Sequence, residues 1–167
     1  MKASGRHRTF NFLLPVSLCL AVLGPPAQQT SRHSDIALLV HPDTPVENLS
    51  VGEVRKLFLG ERQYWNWRAN LPVELYLPAA VSHERDVVLR TIYQMTETQY
   101  RQYWIAKILR AEAVSSPRTV SSNDAAIALV TTIRGAIVVV DARDVRPGPK
   151  MLRVDGHSPG EPGYPLR

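Results

Sequence analysis

A chain of 167 residues, 44% of them hydrophobic, has room for one ordinary domain with a single core, and its length excludes a pair of full-sized domains. The formal charge of +5 overstates how basic the domain is, because Lys2, Arg6 and Arg8 lie in the first few residues; without those three, the 20 basic residues fall to 17 against 15 acidic ones. The remaining charges are interspersed, with no basic stripe, which excludes a nucleic-acid-binding reading.

The basic start is followed by FNFLLPVSLCLAVLG at residues 10–24. This apolar run is interrupted by Pro15 and is shorter than the roughly 20 residues a membrane span needs. Residues 1–27 are therefore read as an export signal ending at the small residue Ala27, with an uncleaved membrane anchor as the alternative. Cys19 is the only cysteine, and it follows Leu18 where a lipoprotein signal carries a small residue. Once the segment is removed, the domain has neither a disulfide nor a thiol nucleophile.

Residues 28–34, QQTSRHS, form a polar linker, and DIALLV at 35–40 is the continuous apolar run of a strand buried on both faces. SVGE follows as a capping box of Ser50 and Glu53, and Val51, Val54, Leu57 and Phe58 share one face of a helix that Gly60 can end in the left-handed conformation. VELYL at 73–77 is a second strand. After Pro78, Ser82 caps a helix whose apolar stripe is Val88, Leu89, Ile92 and Tyr93. TETQ at 96–99 is another capping box, opening a helix on which Tyr100, Trp104 and Ile108 recur every fourth residue, with Tyr103 and Ala111 beside them, as a core face does.

Beyond the loop SSPRTVSS, NDAAIALVTTIRG predicts a fourth helix ending at Gly135, and AIVVV at 136–140 a third strand. KMLRV at 150–154 reads as a short edge strand. The last segment, DGHSPGEPGYPLR at 155–167, is rich in proline and glycine, offers little to bury, and is predicted to be disordered. The domain thus spans 35–154 without internal repeats. Alternating strands and helices give an α/β fold with a mainly parallel or mixed sheet covered on both faces. Ligands of such sheets bind beyond the carboxyl ends of the strands, where helix amino termini gather.

The stretch VSHERD at 81–86 carries the most chemistry. A zinc helix needs a second histidine one turn after His83, and Val87 stands there instead. Ser82, His83 and Glu84 or Asp86 supply the residue types of a nucleophilic relay, but neighbours along one helical turn point in different directions and do not converge. The third reading places an anion at the helix start, where the amides of His83, Glu84 and Arg85 and the Ser82 hydroxyl are available; a plain cap is the alternative.

The segments VHPDTPVENLSVGEVRKLFLGE, YWNW, LPVELYLP, VSHERD and SNDAAIALVTTIRGAIVVVDA follow in the order seen in one lobe of type 2 periplasmic solute-binding proteins. Over residues 35–154 the chain resembles the phosphate-binding proteins of ABC transporters, and in particular a short single-lobe family related to them. The most telling run is VHPDTPV, LSVGE, LFLG and the aromatic pair Tyr64 and Trp65; TQYRQYW, with Tyr103 and Trp104, is similar too. In phosphate-binding relatives a Gly-Ser-Gly-Thr turn opens the helix that grips the anion. VSHE takes that place here, keeping Ser82 and putting Glu84 where a threonine stands.

The resemblance implies a single periplasmic-binding-protein lobe that is periplasmic and not an enzyme, with no cofactor and no metal. Its ligand would be a small oxyanion such as phosphate, held by the Ser82 hydroxyl and the amides of His83 and Glu84, with Arg85 assisting. Partners would be a membrane transporter or sensor, and a homodimer that completes the clamp. The competing expectation is a protein-interaction or signalling lobe that has lost small-molecule binding and docks to a membrane partner. Trp65 and Trp67 are candidates for stacking on a ligand or partner, with packing as the other reading.

Overall fold

The computed structural model describes residues 34–66 and 70–167. The export segment, the linker up to His33, and Trp67 lie outside the described residues.

Strand β1 (Ile36–Val40) is buried along its whole length, as its unbroken apolar run predicts. The short β2 (Asn48–Leu49) leads into helix α1 (Val51–Phe58). Ser50 and Glu53 form the expected capping box: the hydroxyl accepts from the Glu53 amide at 3.2 Å, and the carboxylate accepts from the Ser50 amide at 2.8 Å. The helix ends in a Schellman turn, with the Gly60 amide donating to Leu57 O and the Glu61 amide to Lys56 O. Gly60 has φ +68° there, and a Cβ on it would lie 3.1 Å from the Trp104 ring.

A two-stranded ribbon follows, β3 (Tyr64–Asn66) with β4 (Leu71–Pro72), and then β5 (Glu74–Pro78). Helix α2 (His83–Val87) continues without a break into a π-helical segment, Val88–Tyr93, which Gln94 closes with φ +56°. The wider turn keeps Val88, Leu89, Ile92 and Tyr93 on the buried side. Helix α3 (Glu97–Leu109) begins at the second capping box, Thr96 with Gln99. Its far end repeats the Schellman turn of α1 with Ala111 in the left-handed position at φ +55°. Then come β6 (Arg118–Val120), α4 (Asn123–Thr132), β7 (Ala136–Asp141), a 3-10 turn at Ala142–Asp144, β8 (Lys150–Met151) and β9 (Arg153–Val154).

The main sheet has the order β6-β5-β7-β1-β8. It is mixed: β5 runs parallel to both β6 and β7, whereas β1 runs antiparallel to β7 and β8. Alternate residues of its strands serve two cores. Ile36, Leu38 and Val40 face α1, the α2 and π-helical stretch and α3, which contribute Phe58, Ile92, Tyr93 and Trp104. Ala37 and Leu39 face α4 through Ala126 and Val130. The α/β class and the mixed sheet covered on both faces are as the sequence predicts.

Two expectations are corrected. SSPRTVSS is not all loop, since Arg118–Val120 forms the edge strand β6 on β5. Residues 155–167 are not disordered. Tyr164 and Leu166 enter the main core, the Tyr164 hydroxyl donates to Ile36 O at 2.7 Å, and the Ile36 amide donates to Leu166 O at 3.1 Å. Two large apolar residues suffice to anchor the segment, and its average composition hides them. The proposed edge strand at 150–154 is two short pieces, β8 on β1 and β9 on β2, separated by the buried Leu152.

The matched ends of α1 and α3 give a paired test. Gly60→Ala adds left-handed strain of about 1 to 2 kcal/mol and a contact with Trp104, so it should destabilise clearly in urea unfolding. Ala111→Gly relieves the same strain at an exposed position and, after the entropy that glycine loses, should stabilise by about 0.5 kcal/mol.

Candidate functional site

Because β5 and β6 are parallel neighbours, their carboxyl ends at Pro78 and Val120 lie side by side. Each strand then turns into a helix whose cap is a serine, Ser82 before α2 and Ser122 before α4. Between the two turns lies a cleft of about 200 Å³. Pro78, Ala79, Ser82 and Glu84 form one wall and Val120, Ser121, Ser122 and Asn123 the other. The Ser82 hydroxyl accepts from the Arg85 amide at 3.1 Å and the Ser122 hydroxyl from the Ala125 amide at 3.2 Å. Each cap therefore uses an oxygen lone pair on its own helix and keeps its hydroxyl hydrogen to donate. Residues of both helix starts border the cleft, and a helix start carries unpaired first-turn amides and the positive end of the helix dipole.

The four residues singled out in the sequence take different roles. Ser82 and Glu84 line the cleft. Glu84 is held by Asn123, whose side-chain nitrogen lies 2.9 Å from Glu84 Oε1 and 2.7 Å from Asp144 Oδ2. The two hydrogens of one amide thus bridge two carboxylates and fix the first across the cleft.

The His83 ring points elsewhere, with Nε2 2.9 Å from Ser34 O. A carbonyl only accepts, so Nε2 carries the hydrogen. Ser34 is also held through its hydroxyl, which donates to Asp141.

Arg85 departs most from expectation. Its side chain does not assist at the cleft; the residue is 4% exposed and its guanidinium is turned inward. It donates to both oxygens of Glu97, at 3.0 and 3.1 Å, and stacks 4.3 Å over the Tyr100 ring. Burial works to raise the Glu97 carboxyl, but the Arg85 hydrogen bond and charge, aided by Arg101, outweigh it and hold its pKa below the ordinary range. The walls of the cleft carry no lysine or arginine among the described residues, leaving dipoles and hydroxyls as its attraction for an anion.

The reading of the sequence missed the second wall, Ser121, Ser122 and Asn123. The signal is a polar cap ahead of a helix, but the strand that delivers it has only three residues and no apolar run to mark it. Trp65 is packing, not platform: it is buried, and its indole N–H donates to Gly135 O at 2.8 Å.

No family model and no curated protein matches the sequence. Solved structures do match the fold. A protein described as a phosphate ABC transporter substrate-binding protein with bound phosphate, from Clostridium perfringens, aligns with a TM-score of 0.60 at 17% identity, over 75% of this chain and 46% of its own. An ABC-type phosphate transport receptor from Vibrio cholerae gives 0.59 at 16% identity, over 75% of this chain and 48% of its own. PstS from Borrelia burgdorferi gives 0.57 at 14% identity, over 75% and 49%. The chain spans less than half the length of these proteins, and its fold is that of one lobe of a periplasmic binding protein.

Two measurements check the electrostatics. Glu97→Ala leaves the Arg85 guanidinium buried without its carboxylate and should cost on the order of 3 kcal/mol in urea unfolding, whereas Arg101→Ala, which removes only an exposed partner, should cost under about 0.5 kcal/mol. The Arg143 hydrogen bond, with those of Ser34 and the Arg143 amide, lowers the Asp141 carboxyl from 3.8 to about 2 against the opposing effect of burial. Because the folded pKa is depressed, this stability is present in full above the unfolded value and is lost as pH falls from 3.8 towards 2. Asp141→Asn should therefore flatten the loss of stability in that window and lower stability at pH 7 by about 2 kcal/mol.

Proposed function

We propose that the chain is an exported, periplasmic, non-enzymatic solute-binding lobe whose cleft between Ser82 and Ser122 takes a small oxyanion such as phosphate. The observation that carries this reading is the convergence of two serine-capped helix starts at the carboxyl ends of adjacent parallel strands. The Ser82, Ser121 and Ser122 hydroxyls and the amides of His83 and Glu84 supply donors. The similarity in fold to proteins named for phosphate supports the choice of ligand.

Glu84 limits which oxyanions fit. A carboxylate held in the wall repels an anion that is all acceptors, but it accepts a hydrogen bond from one that keeps a proton. Hydrogen phosphate meets that condition and sulfate does not. With one lobe burying one side of the ligand, a transporter subunit, a membrane sensor or a second copy of the chain would complete the enclosure.

A second reading, a protein-interaction or signalling lobe without a small ligand, draws on the lack of a cationic side chain in the cleft walls. The apolar Ile105 and Leu109 exposed on α3 support it as well.

Thermal unfolding across phosphate and sulfate separates the two. A ligand at about 100 times its dissociation constant that binds only the folded state stabilises by about 2.7 kcal/mol. Phosphate should stabilise the protein, and Ser82→Ala and Ser122→Ala should each shrink the phosphate-induced shift, measured relative to each variant's own ligand-free midpoint. Glu84→Gln should let sulfate stabilise as well. No shift with any oxyanion would move the assignment to the interaction lobe.

A further inference from the structure

β1 runs antiparallel to β7, with Ile36 paired to Asp141, so the chain enters the domain at the carboxyl ends of β5, β6 and β7. That is the end of the sheet where the cleft opens. From Asp35 onward the entry is fixed by other parts of the fold. Asp35 O accepts from the Ala142 amide at 2.9 Å, Asp35 Oδ2 accepts from the Gly160 amide at 2.7 Å, and Ile36 is bonded to Leu166 and Tyr164. Ser34, one residue earlier, is held by two side chains: the Asp141 carboxylate takes its hydroxyl hydrogen, and His83 Nε2–H donates to its carbonyl. His83 is also the residue that follows the Ser82 cap in the cleft wall.

We infer that His83 couples the cleft to the amino-terminal segment: ligand occupancy and the hold on Ser34 reinforce each other. The inference rests on the proposed cleft reading, because it needs a ligand that orders the start of α2. One residue then serves both sides, with its backbone at the ligand and its ring on the entering chain. A ligand that fixes the backbone of His83 reduces the freedom of the imidazole to leave Ser34. By reciprocity, a chain held at Ser34 preorganises the ligand donors by the same factor.

Limited trypsin digestion of the full chain tests this, because Arg32 lies two residues before Ser34. Cleavage after Arg32 requires Ser34 to leave its two partners and enter the protease cleft. Cleavage after Arg110, on the exposed end of α3, serves as the internal reference. His83→Ala should speed cleavage after Arg32 without ligand, and His83→Gln, whose side-chain amide can still donate, should restore slow cleavage. Saturating inorganic phosphate should slow cleavage after Arg32 in the unsubstituted protein and in His83→Gln by about fivefold, near the lower end of typical couplings, and leave His83→Ala unaffected. Phosphate that raises the unfolding midpoint but leaves cleavage after Arg32 unchanged overturns the coupling while the cleft reading stands. Equal slowing in His83→Ala does the same. Absence of any thermal response to phosphate removes the cleft reading, and the coupling with it. Should His83→Ala not fold, the comparison of the unsubstituted protein with His83→Gln still decides, because phosphate must slow both.

Discussion

The buried Arg85 guanidinium is paired with the half-buried Glu97 carboxylate and stacked on the ring of Tyr100, and both the packing of the lobe and the character of its cleft follow from it. Removing a guanidinium from water is costly, and the cost is met here by a two-pronged bond to one carboxylate together with an aromatic face. The pair ties the start of α2 to the start of α3, so the cleft wall is braced from behind. It also withdraws the only cation of VSHERD from the ligand side. An anion approaching the cleft then meets hydroxyls, amides and a carboxylate, which favours discrimination by hydrogen bonding over capture by charge.

A second brace acts at the carboxyl end of α1. The Tyr93 hydroxyl donates to Phe58 O, and the Tyr103 hydroxyl and Lys107 ammonium both donate to Leu59 O, each at 2.8 Å. A cation at a helix carboxyl terminus is favourable, and the aromatic faces of Tyr103 and Trp104 shelter the buried ammonium. These bonds come from the π-helical segment and from α3, so the three helices on this face of the sheet are joined through the terminal carbonyls of the first, which its own helix leaves unpaired. The close approach of Gly60 to Trp104 belongs to the same junction.

Local chemistry was legible in the sequence, and distant pairing was not. The capping boxes at Ser50 and Thr96, the cap at Ser82 and the buried strands β1 and β7 each follow from a few adjacent residues with a fixed physical preference. That Arg85 would turn inward depends on Glu97, twelve positions on and beyond a π-helical segment, which no local pattern announces. Ser122 and Asn123 were overlooked because β6 has only three residues, two of them the exposed Arg118 and Thr119. The final segment was misjudged because proline and glycine dominate its composition, whereas Tyr164 and Leu166 decide its energetics.

The antiparallel placement of β1 bears on how the chain reaches this structure. The first strand is paired on one side by β7, about a hundred residues later, and its opening residue is bonded to Tyr164, 128 positions away. Contacts of such separation make a high contact order, and folding must await loop closures that local helices cannot supply. β1 has no sheet partner until β7 has been made. The first strand to be synthesised is therefore among the last to be paired, and it is completed by the final residues of the chain.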